Sequence, residues 1–306
     1  MNYGDDAPWV RIAVEIPVAV EELFLAVAGP LAASGVDVLG DAARPVHPEL
    51  SEMPPEWVHM GFYAPAEESQ SVHAELVALL EKSQERGEVP PACRVLEPRD
   101  VAPGWLDRWR EFFHVSRISE RLTIRPTWEN HIPRPGERIL DLDPGRAFGT
   151  GGHATTRLCL RALDKHGTAS EVLDVGTGSG VLAIGAAKLG ARRVVAIDVD
   201  VEAVKTAREN VAVNAVVDIV SLSSDPLDTI EGRYQRVIAN IISSVLRKLR
   251  EDLVARVAPG GLLVVSGVLR EEREEMTAQF EEAGLQCVDW EAEEGWVGLV
   301  FRKEPA

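Results

Sequence analysis

Val172-Leu173-Asp174-Val175-Gly176-Thr177-Gly178-Ser179-Gly180 decides how the rest of this chain is read. An apolar run ends at an acid, and three glycines at alternate positions lead straight into a helical pattern, Val181 to Leu189. Backbone that wraps closely round a ligand at the end of a strand needs residues without a Cβ. The next apolar run, Val194-Val195-Ala196-Ile197-Asp198, again ends in an acid, which can accept hydrogen bonds from both hydroxyls of a ribose. This is the plan of an α/β domain that holds a nucleoside.

Outward from that stretch, strands and helices alternate. Strands are expected at 171–175, 193–198, 217–222, 235–239, 262–266, 286–292 and 296–302, with helices near 153–166, 180–190, 201–214, 243–257 and 271–283. Alternation implies parallel strands with helices on both faces. Only Glu293-Glu294-Gly295 separates the last two strands, too little for a parallel crossover, so the final strand must run antiparallel. A dinucleotide-binding sheet does not need that ending. The loop spacing is Gly-x-Gly-x-Gly, whereas NAD folds usually show Gly-x-Gly-x-x-Gly to seat a pyrophosphate. S-adenosylmethionine has no phosphate and carries an ammonium, which suits an acid such as Asp174 beside the loop. The spacing and the ending favour it over NAD.

Towards the N-terminus the pattern changes. Val10–Ile16 alternates like a half-buried strand, Val20–Ala33 has helical spacing, 36–39 and Trp57–Tyr63 read as strands, Ser71–Gln84 as a helix and Cys93–Glu97 as a last strand. The order β-α-β-β-α-β suggests a small α+β ferredoxin-like domain. The chain therefore reads as a substrate-recognition domain at 1–100, a linker at 101–145 and a catalytic domain at 146–306. In the linker Trp105, Trp109, Phe112 and Phe113 recur at helical spacing, which interdomain packing explains better than ligand binding. Arg121–Pro126 and Arg138–Leu142 look like two strands of a hairpin-like bridge.

Bulk properties narrow the classes. The chain has 306 residues, 32 Lys+Arg and 49 Asp+Glu, for a net charge of −17. Phosphate backbones repel such a surface, so nucleic acid is not expected as a direct partner. Residues 1–100 hold 18 acids and 6 bases, which suits either solubility or the docking of a basic protein. No apolar run is long enough to span a membrane, and no signal peptide is expected from the first residues. Cys93, Cys159 and Cys287 are few, odd in number and widely spaced. That predicts a reducing, cytoplasmic compartment with no disulfide framework and no metal site.

Two further segments carry candidate chemistry. Leu142-Asp143-Pro144-Gly145 leads through Phe148 and Gly149-Thr150-Gly151-Gly152-His153 to Ala154-Thr155-Thr156. Thr155 and Thr156 fall in the first turn of a helix, where free N–H groups favour a carboxylate, although plain capping explains them too. Phe148 could lie against an aromatic base, and His153 is either a base or, more commonly, a cap. Val237-Ile238-Ala239-Asn240-Ile241 ends a buried strand at Asn240. Its side-chain carbonyl could accept a hydrogen bond from an amine nucleophile, or the residue could simply turn the chain. Amine-methylating enzymes often have Asn-Pro-Pro-aromatic here; only the Asn matches.

These segments, in this order, resemble the ribosomal protein L11 methyltransferase family, PrmA. Glu294-Gly295-Trp296-Val297, Trp105–Phe113 and Ile124–Trp128 resemble it as well; Gly152 and Ala154 depart from its usual residues. The resemblance implies the class I methyltransferase fold, Rossmann-like with seven strands and an antiparallel last strand. It implies S-adenosyl-L-methionine as cofactor and a basic ribosomal protein as substrate, methylated on lysine side chains and on its N-terminal amine; a monomer is expected. Cofactor contacts then fall to Phe148, Thr156, Gly176, Gly178, Gly180, Asp198 and Asn240, beside Thr155 and Asp174 from the residue chemistry, and the catalytic residue is Asn240. Rival readings are a methyltransferase of another protein lysine or of a small-molecule amine, a nucleoside sensor and an NAD-dependent dehydrogenase.

Overall fold

A computed structural model describes residues 8–31, 36–39, 53–54, 56–101, 114–142, 153–167 and 169–305. Phe148 and the expected aromatic helix from Trp105 to Phe113 lie outside the described residues. The chain divides into two compact units, Met1–Phe112 and Phe113–Ala306.

In the first unit, β1 (Trp9–Pro17), α1 (Glu21–Ala28), β2 (Val36–Leu39), β3 (Trp57–Pro65), α2 (Ser69–Glu85), β4 (Arg94–Val95) and β5 (Arg99–Asp100) follow one another. The antiparallel sheet runs β2-β3-β1-β4, with β5 also on β1. That is the ferredoxin-like order. Alternation selects the buried face: Val10, Ile12, Val14 and Ile16 of β1 pack with Val58, Met60 and Phe62 of β3 and with Val72, Leu76 and Leu80 of α2. The expected last strand, Cys93–Glu97, is present only as Arg94–Val95, and a second short piece, Arg99–Asp100, follows beyond it. Pro98 stands between them and has no N–H for the ladder.

The second unit opens with a three-stranded sheet of β6 (Ser116–Arg117), β7 (Leu122–Arg125) and β8 (Arg138–Asp141). Here the hairpin reading is corrected, because β7 and β8 pair in parallel. The tight antiparallel turn belongs to β6 and β7, and the segment between β7 and β8 carries the chain back to the starting end of β7. Leu122, Ile124 and Leu140 are buried in the same cluster as Leu160, Val181 and Ile184.

There follow α3 (Ala154–Lys165), β9 (Glu171–Val175), α4 (Val181–Lys188), β10 (Arg193–Ile197), α5 (Val201–Val213), β11 (Val220–Ser223), β12 (Tyr234–Asn240), α6 (Ser243–Arg256), β13 (Val257–Leu269), α7 (Arg273–Glu282), β14 (Leu285–Glu293) and β15 (Trp296–Lys303). The sheet order is β11-β10-β9-β12-β13-β15-β14. β9 to β13 are parallel, and β15 runs antiparallel to both β13 and β14, as the short gap required. The turn closing β14 and β15 has positive φ at Glu294 and Gly295, the geometry that matches strand twist in a two-residue hairpin loop. Alternate residues feed two cores, one on each face. Val172 and Ile238 enter the core that contains α3 and α4, and Leu173 and Val237 the core that contains α6 and α7.

Candidate active site

Three parallel strands end at one level. Val175 of β9 pairs with Ile197 of β10 and with Ala239 of β12. The next residue along each chain is Gly176, Asp198 and Asn240, so three residues expected at the site lie on the same rung, with Asn240 still paired to Ser266 of β13. β10 and β12 flank β9, and strand order reverses there. Open α/β sheets bind ligands in the crevice at such a switch point.

The glycine loop is pinned to β10. The amides of Gly176 and Thr177 both donate to the Ile197 carbonyl, at 2.9 and 3.0 Å. Gly176, Gly178 and Gly180 all take positive φ, at 72°, 54° and 82°. At Gly176 a Cβ would also strike the Ile241 side chain, so both conformation and space demand glycine. Asp198 closes the loop: its Oδ2 accepts from the Gly178 amide at 2.8 Å and its Oδ1 from the Asp200 amide at 3.0 Å.

Asp174 lies one layer below and is fully buried. Its Oδ2 accepts from the Thr177 hydroxyl at 2.6 Å and the Ala183 amide also acts on the carboxyl, while Oδ1 makes no well-formed hydrogen bond within the protein. Burial lifts its carboxyl to about 7, against the opposing pull of the Thr177 hydroxyl. A buried carboxylate oxygen without a donor is costly, and a ligand ammonium would relieve it.

Across the crevice, α3 presents its N-terminus. His153 is the N-cap: its Nδ1 lies 2.8 Å from the Thr155 Oγ1 and 3.4 Å from the Thr155 amide that donates to it. Its ring packs edge-on to Trp296 at 5.5 Å, and burial holds its pKa down. A neutral, capping imidazole answers the choice left open for His153. The two threonines face different partners. Thr155 is turned to His153, whereas Thr156, also fully buried, accepts from the Asn240 Nδ2 at 3.5 Å. No described residue donates to the Asn240 Oδ1, which leaves that carbonyl as an acceptor.

Thr177, Ile241 and Gly267 were not anticipated. Thr177 could have been found, since a hydroxyl three residues after a buried acid is well placed to satisfy it. The wedge made by Ile241 could not, because it depends on contacts far apart in sequence: a Cβ on Gly267 would collide with the Ile241 carbonyl. Among the described residues there is no cluster of three metal-ligating side chains, and no helix is long and apolar enough to cross a membrane.

This strand order, with a glycine loop and an acid at the rim, defines a class I S-adenosylmethionine-dependent methyltransferase. The family described as "Ribosomal protein L11 methyltransferase (PrmA)" matches residues 8–304, and the chain belongs to it. The ribosomal protein L11 methyltransferase of Geobacter sulfurreducens is 38% identical over 301 residues, covering 98% of this chain and 99% of the relative. That of Geobacter metallireducens is 40% identical over 264 residues, covering 85% and 86%. A crystal structure of the ribosomal protein L11 methylase from Lactobacillus delbrueckii subsp. bulgaricus superposes with a TM-score of 0.59 at 33% identity, covering 63% of this chain and 100% of that one. Methyltransferases of this family use S-adenosylmethionine. The residues present fit it: the unsatisfied Asp174 oxygen suits its ammonium, and the Cβ-free loop suits close approach of its backbone.

Proposed function

We propose that this chain transfers methyl groups to amines of ribosomal protein L11, both lysine side chains and the N-terminal amine, with Asn240 orienting the amine that reacts. The observation that carries the reading is the pairing of Asn240 with Thr156. With one Nδ2 hydrogen directed at Thr156, the side chain keeps its carbonyl open to accept at the rung shared with Gly176 and Asp198. A carbonyl accepts from a neutral amine and holds the nitrogen lone pair towards the donor.

S-adenosylmethionine supplies the methyl group as a sulfonium. Around it, we assign the ammonium to Asp174, the ribose hydroxyls to Asp198, close backbone contact to Gly176, Gly178 and Gly180, and the α3 end of the crevice to Thr155 and Thr156, with Phe148 completing the contacts the family implies. The chain's remaining task is to present an uncharged nitrogen. A lysine titrates near about 10.4 in water, and burial beside a cation lowers that value. Catalysis then rests on alignment rather than on a strong acid or base. The acidic first hundred residues suit docking of a basic substrate, with a monomer as the working unit. The three free cysteines suit a cytoplasmic site of action.

The test is Asn240→Ala assayed with purified ribosomal protein L11 and labelled S-adenosylmethionine. kcat should fall about 30-fold, roughly the loss of one well-made hydrogen bond in the transition state, while cofactor affinity changes little. Methylation within a few-fold of wild type would end the orienting role.

A further inference from the structure

The segment that carries Asn240 is short, irregular and held from several sides. β12 ends at Asn240 and α6 begins at Ser243, with no side-chain cap of its own and no acid in its first turn. An unassisted helix N-terminus leaves donors and partial positive charge without a partner. The missing acid comes from a different loop. Glu272, which precedes α7, accepts at Oε1 from the Ser243 hydroxyl at 3.0 Å and from the Arg247 Nη2 at 2.9 Å. Its Oε2 accepts from the Leu269 amide at 3.3 Å. One carboxylate thus ties the end of the Asn240 segment to the end of β13.

The tie belongs to a closed circuit. Beside Glu272, the Arg270 amide donates to the Gly295 carbonyl of the β14–β15 turn at 2.8 Å. That turn holds α3 through Arg157, which pairs with Glu293 at 2.8 Å and Glu294 at 2.9 Å. Arg157 follows Thr156, and Thr156 meets Asn240. Inside the circuit Ile241 is wedged, its side chain over Gly176 and its backbone against Gly267, where any Cβ would collide. The segment cannot relax towards the glycine loop or towards β13. Its far end, at Ser243, is held by the Glu272 carboxylate.

We infer that Glu272 is a positioning residue for methyl transfer: by anchoring Ser243 it fixes where the Asn240 carbonyl sits relative to the glycine loop. The inference rests on the orienting role of Asn240 proposed above. In-line transfer tolerates little error, since a displacement of about 1 Å can cost about 100-fold in rate. The hydrogen bonds of Glu272 go to Ser243, Arg247 and Leu269 and none to the glycine loop, so its removal should act on turnover and not on cofactor binding.

The experiment is a double-mutant cycle on the full-length enzyme, with kcat for ribosomal protein L11 methylation and the S-adenosylmethionine Kd read for wild type, Glu272→Ala, Asn240→Ala and the double variant. Glu272→Ala should lower kcat about tenfold with Kd within twofold, and should cost less than twofold further once Asn240 is Ala. Glu272→Gln keeps an oxygen for Ser243 and should recover kcat to within about threefold of wild type. If Glu272→Ala does not fold, the same comparison is made with Glu272→Gln and Ser243→Ala, where Ser243→Ala should lower kcat and Glu272→Gln should add little to it. A wild-type kcat in Glu272→Ala, additive losses in the cycle, or a Kd that weakens in step with kcat would overturn the positioning role. An Asn240→Ala enzyme that turns over normally would instead sink the orienting reading, whatever Glu272 does.

Discussion

The Gly178 amide donates to the Asp198 Oδ2 at 2.8 Å, joining the glycine loop to the end of the neighbouring strand across 20 residues of sequence. The other oxygen holds the Asp200 amide, the start of α5. A carboxylate has about four lone-pair sites. Asp198 can therefore keep both amides and still have lone pairs to offer a ribose, so the proposed contact would not cost the loop its shape.

Asp198→Ala should weaken S-adenosylmethionine binding by one to two orders of magnitude. Hydrogen bonds to a charged acceptor contribute about 1.5–3 kcal/mol each, and about 1.4 kcal/mol is a factor of ten. Asp198→Asn keeps one acceptor oxygen and should fall between. Calorimetric titration checks this, and a Kd within twofold of wild type in the Ala variant would remove Asp198 from the site.

If Asp174 meets the cofactor ammonium as proposed, cofactor binding should depend on pH. An unfolded Asp titrates near about 3.9, and burial lifts this one to about 7. Between those values the folded chain keeps the proton and the unfolded chain does not, so the stability of the free protein falls as pH rises from about 4 to about 7 and then levels. An ammonium favours the ionised carboxylate, so affinity should rise as pH climbs through 7, with proton release on binding. Titrations at pH 6 in two buffers of different ionisation enthalpy should show that release, and Asp174→Asn should abolish it while flattening the stability curve. Binding at pH 6 with no proton released from wild type would refute the assignment.

Much of this could be read from residue order. Period-two alternation marked the first strand of the first unit, continuous apolar runs marked strands such as β9 and β10 of the second, and the three-residue gap before Trp296 fixed the direction of the last strand. The rung shared by Gly176, Asp198 and Asn240 follows from apolar runs that each end at a polar or small residue. Pairing direction in the small sheet was not legible, because alternation in β7 and β8 is the same whether their partner is parallel or antiparallel. Nor was the tie between Glu272 and Ser243, which are 29 residues apart and lie in segments that look like ordinary loop and helix start.

Gly176→Ala should lose both stability and cofactor affinity. Positive φ with a Cβ costs about 1–2 kcal/mol, and the new methyl would strike Ile241. Adding Ile241→Ala makes room, so the double variant should melt above the sum of the two single losses, though still below wild type. Additive losses in thermal melts would mean that Gly176 and Ile241 do not touch.

Glu137 should show the opposite pH behaviour to Asp174. Its buried carboxylate accepts from the Thr123 hydroxyl, from the Arg134 amide at 2.7 Å and lies 3.0 Å from the His131 Nε2. The Thr123 bond first, then the Arg134 amide and His131, hold it down to about 2. A depressed carboxyl adds stability above its unfolded pKa and loses it as pH falls towards the folded value. Glu137→Gln should therefore melt below wild type at pH 7, with the gap closing as pH drops from about 4.5 to about 2. A gap that stayed constant over that range would show that charge at Glu137 contributes nothing.

The acidic first unit gives the last prediction. Residues 1–100 carry 18 Asp+Glu against 6 Lys+Arg, a third of the chain with most of its net charge. If that surplus serves only solubility, removing it should leave methylation of a basic protein intact wherever the remainder stays soluble. If it docks the substrate, its loss should spare the cofactor Kd and raise the protein KM steeply, and wild-type KM should itself climb with salt, since exposed charges are screened beyond about 8 Å at physiological ionic strength. Methylation of ribosomal protein L11 by a chain lacking residues 1–100, beside a salt series on the full-length enzyme, separates the two. A truncated enzyme with wild-type KM and kcat would leave the first unit without a docking role.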